Sequence, residues 1–558
     1  MNGENMLLLS LLLLPMVGAG VVAPLRDNAR LAKLVALGFA LASLALTVLT
    51  WFAYVIPRTG WFAYTPLSEP ASQPSIPSDA VVPPGRFQLE FAVDWIPAFG
   101  TRFALGIDGI ALVMLALIAV LVPIVMAFSW EERLPEGRTA SGFFALLLVT
   151  QSLLVGVFAA TDVFLFYVFF EAMLVPMYFM IGRFGGPRRQ YAAVKFFLYS
   201  LLGGLIMLAS VIGLFVVSGN RLGQGTFTWT ELQAVAAEVP ESTQIWLFLG
   251  FFIAFAIKAP LVPFHTWLPD AAAEAPIGAG VLLVGVLDKV GTFGFLRYCL
   301  PLFPAATRTL APLVLTLAVI GVLYGALLAV GQTDMKRFVA YTSIAHFGFI
   351  ALGIFAFSSQ ALAGSTLYMV NHGISTGMLF IVVGLLIARG GSRLISDYGG
   401  VSKLAPLLAG SFLVAGLSSL ALPGTNAFVS EFLVLLGSFP REPVYTILAT
   451  VGIIFAALYV LWVYQRTMQG PVRGAAVLAA LDRAGGPGTM LDPTVSAARA
   501  GSGFPDLSRR EIAMLTPLIV LILVLGFFPG PVLDVITPSV LATMNDVGLA
   551  DPVGGFTR

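Results

Sequence analysis

Six side chains that can bind and release protons lie inside long apolar runs of this 558-residue sequence. They are Glu171, Lys258, Lys289, His346, His372 and Glu431. Carboxyl, amino and imidazole groups exchange protons with water, and a carboxylate that moves toward or away from a lysine changes how tightly that lysine holds its proton. The chemistry that these residue types offer is therefore proton transfer.

The composition of the rest of the chain predicts that these groups lie in a membrane. Hydrophobic residues make up 58% of the chain, charged residues only 11%, and the mean hydropathy is +0.94. A soluble protein carries about a quarter charged residues, so this chain requires lipid as its solvent. A charged side chain at the bilayer centre costs roughly 2.5–3.5 kcal/mol, which favours an ion pathway over incidental placement. For His265, which lies close to a predicted helix end, a structural role is equally well supported.

The same composition excludes several kinds of site. The net charge of +1 provides no basic field for binding nucleic acid. The single cysteine, Cys299, excludes an intrachain disulfide, a Cys-rich zinc site and a Cys-ligated iron–sulfur cluster. Neither a GxGxxG nor a GxxxxGK string occurs, so the sequence does not indicate a nucleotide site.

Apolar runs of roughly 20 residues predict an all-α, polytopic membrane protein with about fourteen transmembrane helices. The predicted spans are 6–24, 32–55, 106–129, 140–159, 161–181, 191–217, 244–267, 276–298, 309–330, 337–357, 361–388, 404–437, 444–466 and 512–530. If the N-terminus lies outside, the inner loops hold most of the 30 Lys and Arg residues. The positive-inside rule therefore predicts that both termini lie on the outer side.

Two stretches interrupt the pattern of spans. Residues 56–103 are rich in proline and predict an extended outer loop, whereas residues 470–510 are rich in Ala, Gly and Arg and predict a mobile inner loop. The predicted segments of the chain are three N-terminal helices with the outer loop (1–135), two five-helix units (136–305 and 306–468), and an inner loop with the last helix and a short tail (469–558).

Two of the predicted helices are broken. Pro260 and Pro263 follow Lys258, and Pro423-Gly424 precedes Glu431. Proline removes a backbone donor, and membranes tolerate broken helices where they line a polar cavity. Each broken helix is the fourth of a unit, in helices 4–8 and in helices 9–13. Because five is odd, the second unit starts from the opposite side, which predicts two inverted repeats with an inner and an outer half-channel.

Three further acidic residues are set apart from the six. Asp288 adjoins Lys289 but points about 100° away on an α-helix, so we do not expect it to be the partner of that lysine. Asp108 and Asp162 lie at predicted helix starts, where an acidic residue complements the helix dipole, and both are interpreted as structural.

Four strings resemble a known family. FYVFFEAMLVPMYFMIG, FAIKAPLVPFHTWLPDAAAEAP, DMKRFVAYTSIAHFGF and LPGTNAFVSEF are similar to the antiporter-like membrane subunits of respiratory complex I, the proton-translocating NADH:quinone oxidoreductase. The resemblance covers nearly the whole chain, to about residue 530. The M-type subunit is the most similar, because Glu431 stands where the L-type, N-type and Mrp subunits typically carry lysine, and because no long lateral helix follows the last span.

For the first unit, the resemblance implies an entry and a transfer of protons. It pairs Glu171 with Lys258 and assigns to Lys289 the passage of a proton between the two half-channels. His265 becomes a candidate for the inner entry, although FHTWLPDAAAEAP lacks the second histidine often found after WLPDA in the family.

For the second unit, the resemblance implies transfer and exit. It places His346 and His372 along the water-filled axis toward the second half and Glu431 at the exit to the outer side. The implied activity is proton translocation, driven by redox chemistry elsewhere in the complex, so the chain is expected to be one subunit of a translocase.

The resemblance also implies the surroundings of the chain. No cofactor is expected in this chain, since NADH, FMN, iron–sulfur clusters and quinone are expected in other subunits. The expected partners are the other membrane-arm subunits, including the L-type and N-type antiporter-like chains, together with lipids and protons but not nucleic acid. The expected location is a bacterial inner membrane, which the chain crosses many times.

Three alternative functions stay open from the sequence. The chain could be an Mrp-type cation/proton antiporter subunit, which Glu431 disfavours, or the related membrane subunit of a membrane-bound hydrogenase, which shares the same helices. It could also be a purely structural spacer of a membrane arm, which six buried ionisable residues disfavour.

Overall fold

The computed structural model of the chain describes residues 6–54, 86–132, 134–485 and 503–552. Within these ranges the chain is a bundle of helices with one two-stranded sheet. The elements up to the middle of the chain are α1 (Leu7–Val22), α2 (Ala29–Ala53), β1 (Gln88–Ile96), β2 (Thr101–Ile107), α3 (Gly109–Phe128), α4 (Ala140–Ala159), α5 (Val163–Ala172), α6 (Leu174–Phe184), α7 (Arg189–Leu222), α8 (Trp229–Val235), α9 (Glu241–Lys258), α10 (Trp267–Glu274), α11 (Ile277–Leu282), α12 (Lys289–Gly294) and α13 (Leu300–Leu302).

The second half continues with longer helices. They are α14 (Pro304–Val330), α15 (Met335–Phe355), α16 (Ser359–Gly390), α17 (Pro406–Ser419), α18 (Asn426–Ser438), α19 (Pro443–Met468), α20 (Ala475–Gly485), α21 (Arg509–Phe527) and α22 (Gly530–Val547). In the first half, α11, α12 and α13 form one continuous segment, in which π-helical turns at Leu283–Leu287 and Phe295–Cys299 join the three helices.

Twelve helical segments of the described chain are long and apolar enough to cross a membrane. α1 is shorter, and so are α17 and α18, which residues 420–425 separate. Each predicted span overlaps helix in the structure, so the predicted all-α, multi-pass fold is confirmed. The count of fourteen spans and the inverted repeats remain predictions.

The most deeply buried helices carry three of the six candidate residues, Lys289, His346 and His372. The segment from α11 to α13 is buried along its whole length, and α15 and α16 are buried along nearly all of theirs. By contrast, α2, α7, α19 and α21 present long apolar sides to the surroundings, as helices that face lipid do. The bundle therefore positions its ionisable side chains on an inner layer of helices that the outer helices shield.

The predicted loop at 56–103 is wrong in its second part, where the structure contains a β-hairpin. β1 and β2 pair antiparallel, with Phe91 opposite Leu105 and Val93 opposite Phe103. The apolar residues Phe91, Val93 and Trp95 alternate with polar or small ones, which is the period of a strand. The sequence prediction treated residues 56–103 as one proline-rich stretch, which concealed this alternation. Residues 55–85 lie outside the described part of the chain.

Two helices near the C-terminus were also missed. α20 lies within the predicted mobile loop at 470–510, of which residues 486–502 are outside the described ranges. It docks through Val477 and Leu481, which are buried. After the last predicted span, where only a short tail was expected, α22 packs on α3 and α16, and Ser539 accepts a hydrogen bond from the Gly109 N–H at 2.9 Å. Helices this short or this weakly apolar do not meet the criterion for a transmembrane span, which is about 20 predominantly apolar residues.

The structural interpretation of Asp108 and Asp162 is confirmed. Each is the N-cap of a helix, and its carboxylate accepts a hydrogen bond from the backbone three residues on, at 2.8 Å for Asp108 and 2.9 Å for Asp162. Asp108 also forms a buried ion pair with Arg297 at 2.6 Å, which ties α3 to the second π-helical turn.

The two ends of the bundle differ in their chemistry. The hairpin end carries β1, β2 and α22. The basic end, opposite to it, carries α10, whose Asp270 and Glu274 are paired with Lys and Arg side chains of neighbouring elements.

Candidate proton-transfer site

Glu171 lies next to a helix interruption. α5 ends at Ala172, and α6 begins two residues later, after Met173. Both carboxylate oxygens of Glu171 are buried without a hydrogen-bond partner. They occupy space that Gly204 of α7 leaves open, since a Cβ at Gly204 would lie 1.6 Å from Oε1. Glycine at this position is therefore what allows the carboxylate to sit between α5 and α7.

Lys258 is the last residue of α9 and ends it inside the protein. Its side chain is fully buried, and Nζ has no hydrogen-bond partner. The ammonium lies 4.8 Å from the centroid of the Phe170 ring, a cation–π contact. At the break, the indole of Trp267 donates to the Ile257 carbonyl at 2.8 Å, which satisfies a backbone group that the helix no longer pairs.

Glu171 and Lys258 lie close enough to interact electrostatically, without a direct hydrogen bond between them. The ring of Phe170, the neighbour of Glu171, is what contacts the ammonium. The pairing that the resemblance implies is therefore a through-space coupling in this structure. In an apolar interior, a small change in the distance between two opposite charges causes a large change in their electrostatic interaction energy.

The expectation that Asp288 is not the partner of Lys289 is wrong. Asp288 Oδ1 and Lys289 Nζ form an ion pair at 2.9 Å, and both side chains are completely buried. The expectation assumed a regular α-helix, whereas Asp288 follows the π-helical turn and Lys289 begins α12. There the flexible lysine side chain folds back, so that Nζ also donates to the carbonyl of Val284.

The two histidines are brought together beyond this lysine. The rings of His346 and His372 are 5.2 Å apart and nearly perpendicular. His372 Nε2 is hydrogen-bonded to the Ser343 hydroxyl at 3.1 Å, while Nδ1 of each histidine has no partner. The Phe347 ring lies 5.3 Å from Lys289 Nζ and 5.3 Å from the His372 ring, so it is a neighbour of both the lysine and His372.

Glu431 lies in α18 after the second break and is 6% exposed. It forms no hydrogen bond with another described residue, and it interacts electrostatically with Tyr368 and Tyr459. Tyr368 is buried, its hydroxyl has no partner, and its ring is 5.9 Å from that of His346. Tyr368 is therefore a neighbour of both His346 and Glu431, a proximity that sequence reasoning missed.

A neutral cluster at the second break was also missed. We call it the amide clamp; its members are Asn371 and Ser375 of α16, Ser418 of α17, and Asn426 and Ser430 of α18. Asn371 Nδ2 donates to the Asn426 carbonyl at 2.8 Å, and Asn426 Oδ1 accepts from the Ser418 hydroxyl at 2.7 Å. The clamp joins both halves of the broken helix to α16. Polar residues in otherwise apolar spans were its sequence signal.

The basic end places His265 beside a network of ion pairs. His265 is almost completely buried, with its ring against Tyr324 at 5.1 Å and Nδ1 without a partner. Nearby, Asp270 is bonded to Lys195 and to Arg337, both at 2.7 Å. Burial alone would raise the pKa of Asp270, but the hydrogen bonds and charges of those two residues lower it below its ordinary value.

The structure thus brings the predicted residues into two connected groups. Glu171 and Lys258 form the first, and Lys289, His346 and His372 form the second, which Tyr368 extends to Glu431. α9 and α12 connect the groups through a close contact, since a Cβ at Gly291 would lie 2.5 Å from the Ala259 nitrogen. Within the described ranges, no three His, Cys, Asp or Glu side chains are placed as metal ligands. Buried groups of this kind can hold and pass protons.

Known proteins match this chain over most of its length. The family model described as NADH:quinone oxidoreductase/Mrp antiporter, TM, matches residues 160–458. NADH-quinone oxidoreductase subunit M of Mycobacterium tuberculosis is 48% identical over 489 residues, which cover 82% of this chain and 84% of that protein.

Solved structures match as well. A chain of respiratory complex I from Thermus thermophilus with bound NADH superposes with a TM-score of 0.78 and 30% identity, covering 97% of this chain and all of that one. A chain of the Mrp complex from Dietzia sp. DQ12-45-1b has a TM-score of 0.74 at 20% identity, covering 97% of this chain and 52% of that one, which shows the shared fold.

Proposed function

The chain belongs to the NADH:quinone oxidoreductase/Mrp antiporter membrane family, and we propose that it is the M-type proton-translocating subunit of an NADH:quinone oxidoreductase. The resemblance found in the sequence is thereby confirmed at the level of the family. Relatives named subunit M match over more than four-fifths of the chain. The chain is a multi-pass membrane protein and one part of a translocase that couples electron transfer to proton movement.

The observation that carries this function is the series of buried ionisable groups. Glu171, Lys258, Lys289, His346, His372 and Glu431 are all placed between packed helices. Several of these residues have buried polar atoms without a hydrogen-bond partner. Each such atom lowers the stability of the fold by about 1–3 kcal/mol, so a purely structural role does not explain why these residues are present. Groups retained at this cost in the membrane are best explained by transfer of protons.

The route follows the order of contacts through the bundle. A proton enters from the basic end, where His265 lies, and reaches Lys258, whose charge Glu171 controls. Lys289 passes it to the two histidines, and Glu431 releases it after Tyr368 toward the hairpin end. The units at 136–305 and 306–468 supply the inner and outer half-channels as two inverted repeats within fourteen spans.

The remaining assignments follow from the same proposal. The partners are other subunits of complex I, specifically the L-type and N-type antiporter-like chains, together with membrane lipids. NADH, FMN, the iron–sulfur clusters and quinone belong to the other subunits. The location is a bacterial inner membrane, with both termini on the outer side and the basic end inside, as the distribution of Lys and Arg favours.

The test of this function removes the Glu171 charge in the whole complex. Inverted vesicles with Glu171→Gln should oxidise NADH with a strongly reduced pH gradient, because the carboxylate no longer changes how tightly Lys258 holds its proton. Glu136→Gln, which neutralises an exposed carboxylate, is the matched control and should pump normally. Normal pumping by an assembled Glu171→Gln complex would contradict the proposal.

A further inference from the structure

The ion pair between Asp288 and Lys289 sets this lysine apart from the other lysine of the pathway. Its two side chains are 0% exposed and 2.9 Å apart, and Asp288 Oδ2 has no further partner. Lys258, by contrast, has no hydrogen-bond partner and contacts aromatic rings instead. Desolvation of two charges offsets much of their attraction, so a buried ion pair is weak evidence of a stabilising role. The ion pair lies at a residue of the proposed proton pathway, which indicates a role in proton transfer.

The backbone around this pair is irregular. The π-helical turn at Leu283–Leu287 leads into Asp288, and a second follows at Phe295–Cys299. Turns of this kind within α-helices are rare and concentrate at functional sites. The first supplies the Val284 carbonyl, to which Lys289 also donates a hydrogen bond. Lys289 therefore has two acceptors, one charged and one neutral.

Lys289 and His372, the acceptor in this inference, contact the same aromatic ring. Phe347 is 5.3 Å from Lys289 Nζ and 5.3 Å from the His372 ring. His372 Nε2 is hydrogen-bonded to the Ser343 hydroxyl and Nδ1 has no partner, so in the tautomer that carries its proton on Nε2 the Nδ1 atom can accept a proton. Movement of the lysine away from Asp288 and along the Phe347 ring would bring the ammonium to the imidazole.

We propose that Asp288 is a positioning residue that switches Lys289 between holding and releasing a proton. While the ion pair is closed, the carboxylate stabilises the ammonium, and Lys289 keeps its proton. When the pair opens, an N–H bond of the ammonium breaks, an N–H bond forms on the imidazole of His372, and Lys289 is left neutral. The inference rests on the proposed function, because it requires a proton that crosses the chain.

Few other titratable groups face this pair. His346 of α15 and His372 of α16 lie on one side, and Lys258 ends α9, which packs against α12. α3 and α4, which also pack here, contain no ionisable residue between their ends. The charge that Lys289 meets directly is therefore that of Asp288.

The test measures the pH profile of proton pumping by the complete complex in vesicles, from about pH 6 to about pH 8.5. Asp288→Asn keeps the shape and removes the charge, and it should move the alkaline limb down by about one pH unit, a tenfold change in proton affinity. Asp288→Glu restores the charge and should restore pumping at high pH. Lys289→Arg should stop pumping at every pH, because arginine keeps its proton.

The outcomes separate this inference from the proposed function. If wild-type vesicles pump and Glu171→Gln still pumps normally, the proposed function fails, whatever Asp288 does. If Glu171→Gln and Lys289→Arg lose pumping while assembled Asp288→Asn keeps the wild-type profile, Asp288 is only a structural ion pair and the inference is overturned. Should the Asn variant fail to assemble, Asp288→Leu, which is neutral and suits apolar surroundings, is measured in its place with the same two readings.

Discussion

The two broken helices of the bundle are fastened by opposite kinds of chemistry. At the first break, between α9 and α10, α10 is held by charges: Asp270 binds Lys195 and Arg337, and Glu274 binds Arg393. At the second, between α17 and α18, the amide clamp holds both halves with neutral amide and hydroxyl groups. Both breaks adjoin an ionisable residue of the pathway, Lys258 in one case and Glu431 in the other.

Solvent exposure separates the Asp270 network of the first break from the amide clamp of the second, whereas Glu274 of α10 is only 2% exposed. The Asp270 side chain is 15% exposed and its basic partners are 20–29% exposed, so water still solvates part of the network. Asn426 is 0% exposed. An ion pair at that depth would lose most of its attraction to desolvation, whereas neutral hydrogen bonds do not introduce a charge. A break in the interior can therefore be held firmly without adding a charge that would compete with Glu431.

The largest effect is expected at the first break, from Lys258→Ala. The variant should abolish pumping through this chain, because the pathway loses its carrier and Glu171 is left without a compensating charge. Leaving one buried partner unpaired typically costs about 3–5 kcal/mol, so the amount of assembled complex must be measured alongside the pH gradient.

Lys403→Ala is the matched control for this prediction. Lys403 is exposed at the basic end, and its removal should change neither assembly nor pumping. If Lys258→Ala assembles and pumps like Lys403→Ala, Lys258 does not carry protons and the first break has only a structural role.

A smaller effect on pumping, with a clear effect on stability, is expected at the second break from Asn426→Ala. The substitution removes the amide oxygen that accepts from Ser375 and Ser418, whose hydroxyls stay bonded to each other, and it removes a hydrogen bond from Asn426 to Asn371. Each buried polar group left unpaired costs about 1–3 kcal/mol, so the melting temperature of the complex should fall. Asn545→Ala, at an exposed position in α22, is the control. Equal melting temperatures for the two variants would show that the clamp is not what holds the break.

The smallest effect is expected from Asp270→Asn at the basic end. Partly exposed ion pairs contribute about 0.2–1 kcal/mol each, so the loss of stability should be modest and smaller at high salt. Because the pKa of Asp270 is lowered, its contribution is complete above the ordinary pKa of aspartate, about 3.9, and is lost only as the pH falls through the lowered value.

The difference in melting temperature between wild type and Asp270→Asn should therefore stay constant from about pH 5.5 to about pH 8. Asp27→Asn, which neutralises an exposed aspartate without a described partner, is the control and should match wild type. A difference that grows or shrinks across this range would show that another group titrates in the network.

Sequence reasoning located the ionisable residues of the site but not the groups that hold them. Glu171, Lys258 and Glu431 stand out because a charge in an apolar run is costly, and this signal needs no knowledge of packing. The ion pair between Asp288 and Lys289 was missed because it depends on a π-helical turn, which no local sequence pattern predicts. Tyr368 was missed for another reason: a tyrosine in an apolar helix is ordinary until the histidine and the carboxylate around it are known.

The fold shows the same division between local and distant information. Long apolar spans are identified by their length, and the breaks by their prolines. The hairpin and α22 are not, because the strand alternation was averaged with the proline-rich residues before it and α22 is too short and weakly apolar to be identified as a span. Local periodicity predicts elements, whereas tertiary contacts, such as that between Gly109 and Ser539, decide where short elements dock.

The most direct test of the pathway replaces its last group, Glu431, by glutamine. Glutamine keeps the size and the hydrogen bonding of the side chain but cannot carry a proton from Tyr368 toward the hairpin end. We measure the pH gradient formed per NADH oxidised in vesicles that contain equal amounts of assembled complex. We predict that Glu431→Gln assembles and forms a clearly smaller gradient, and that Glu431→Asp, which keeps the charge, recovers part of it. An assembled Glu431→Gln complex with the wild-type gradient would show that Glu431 serves packing and that protons leave by another route.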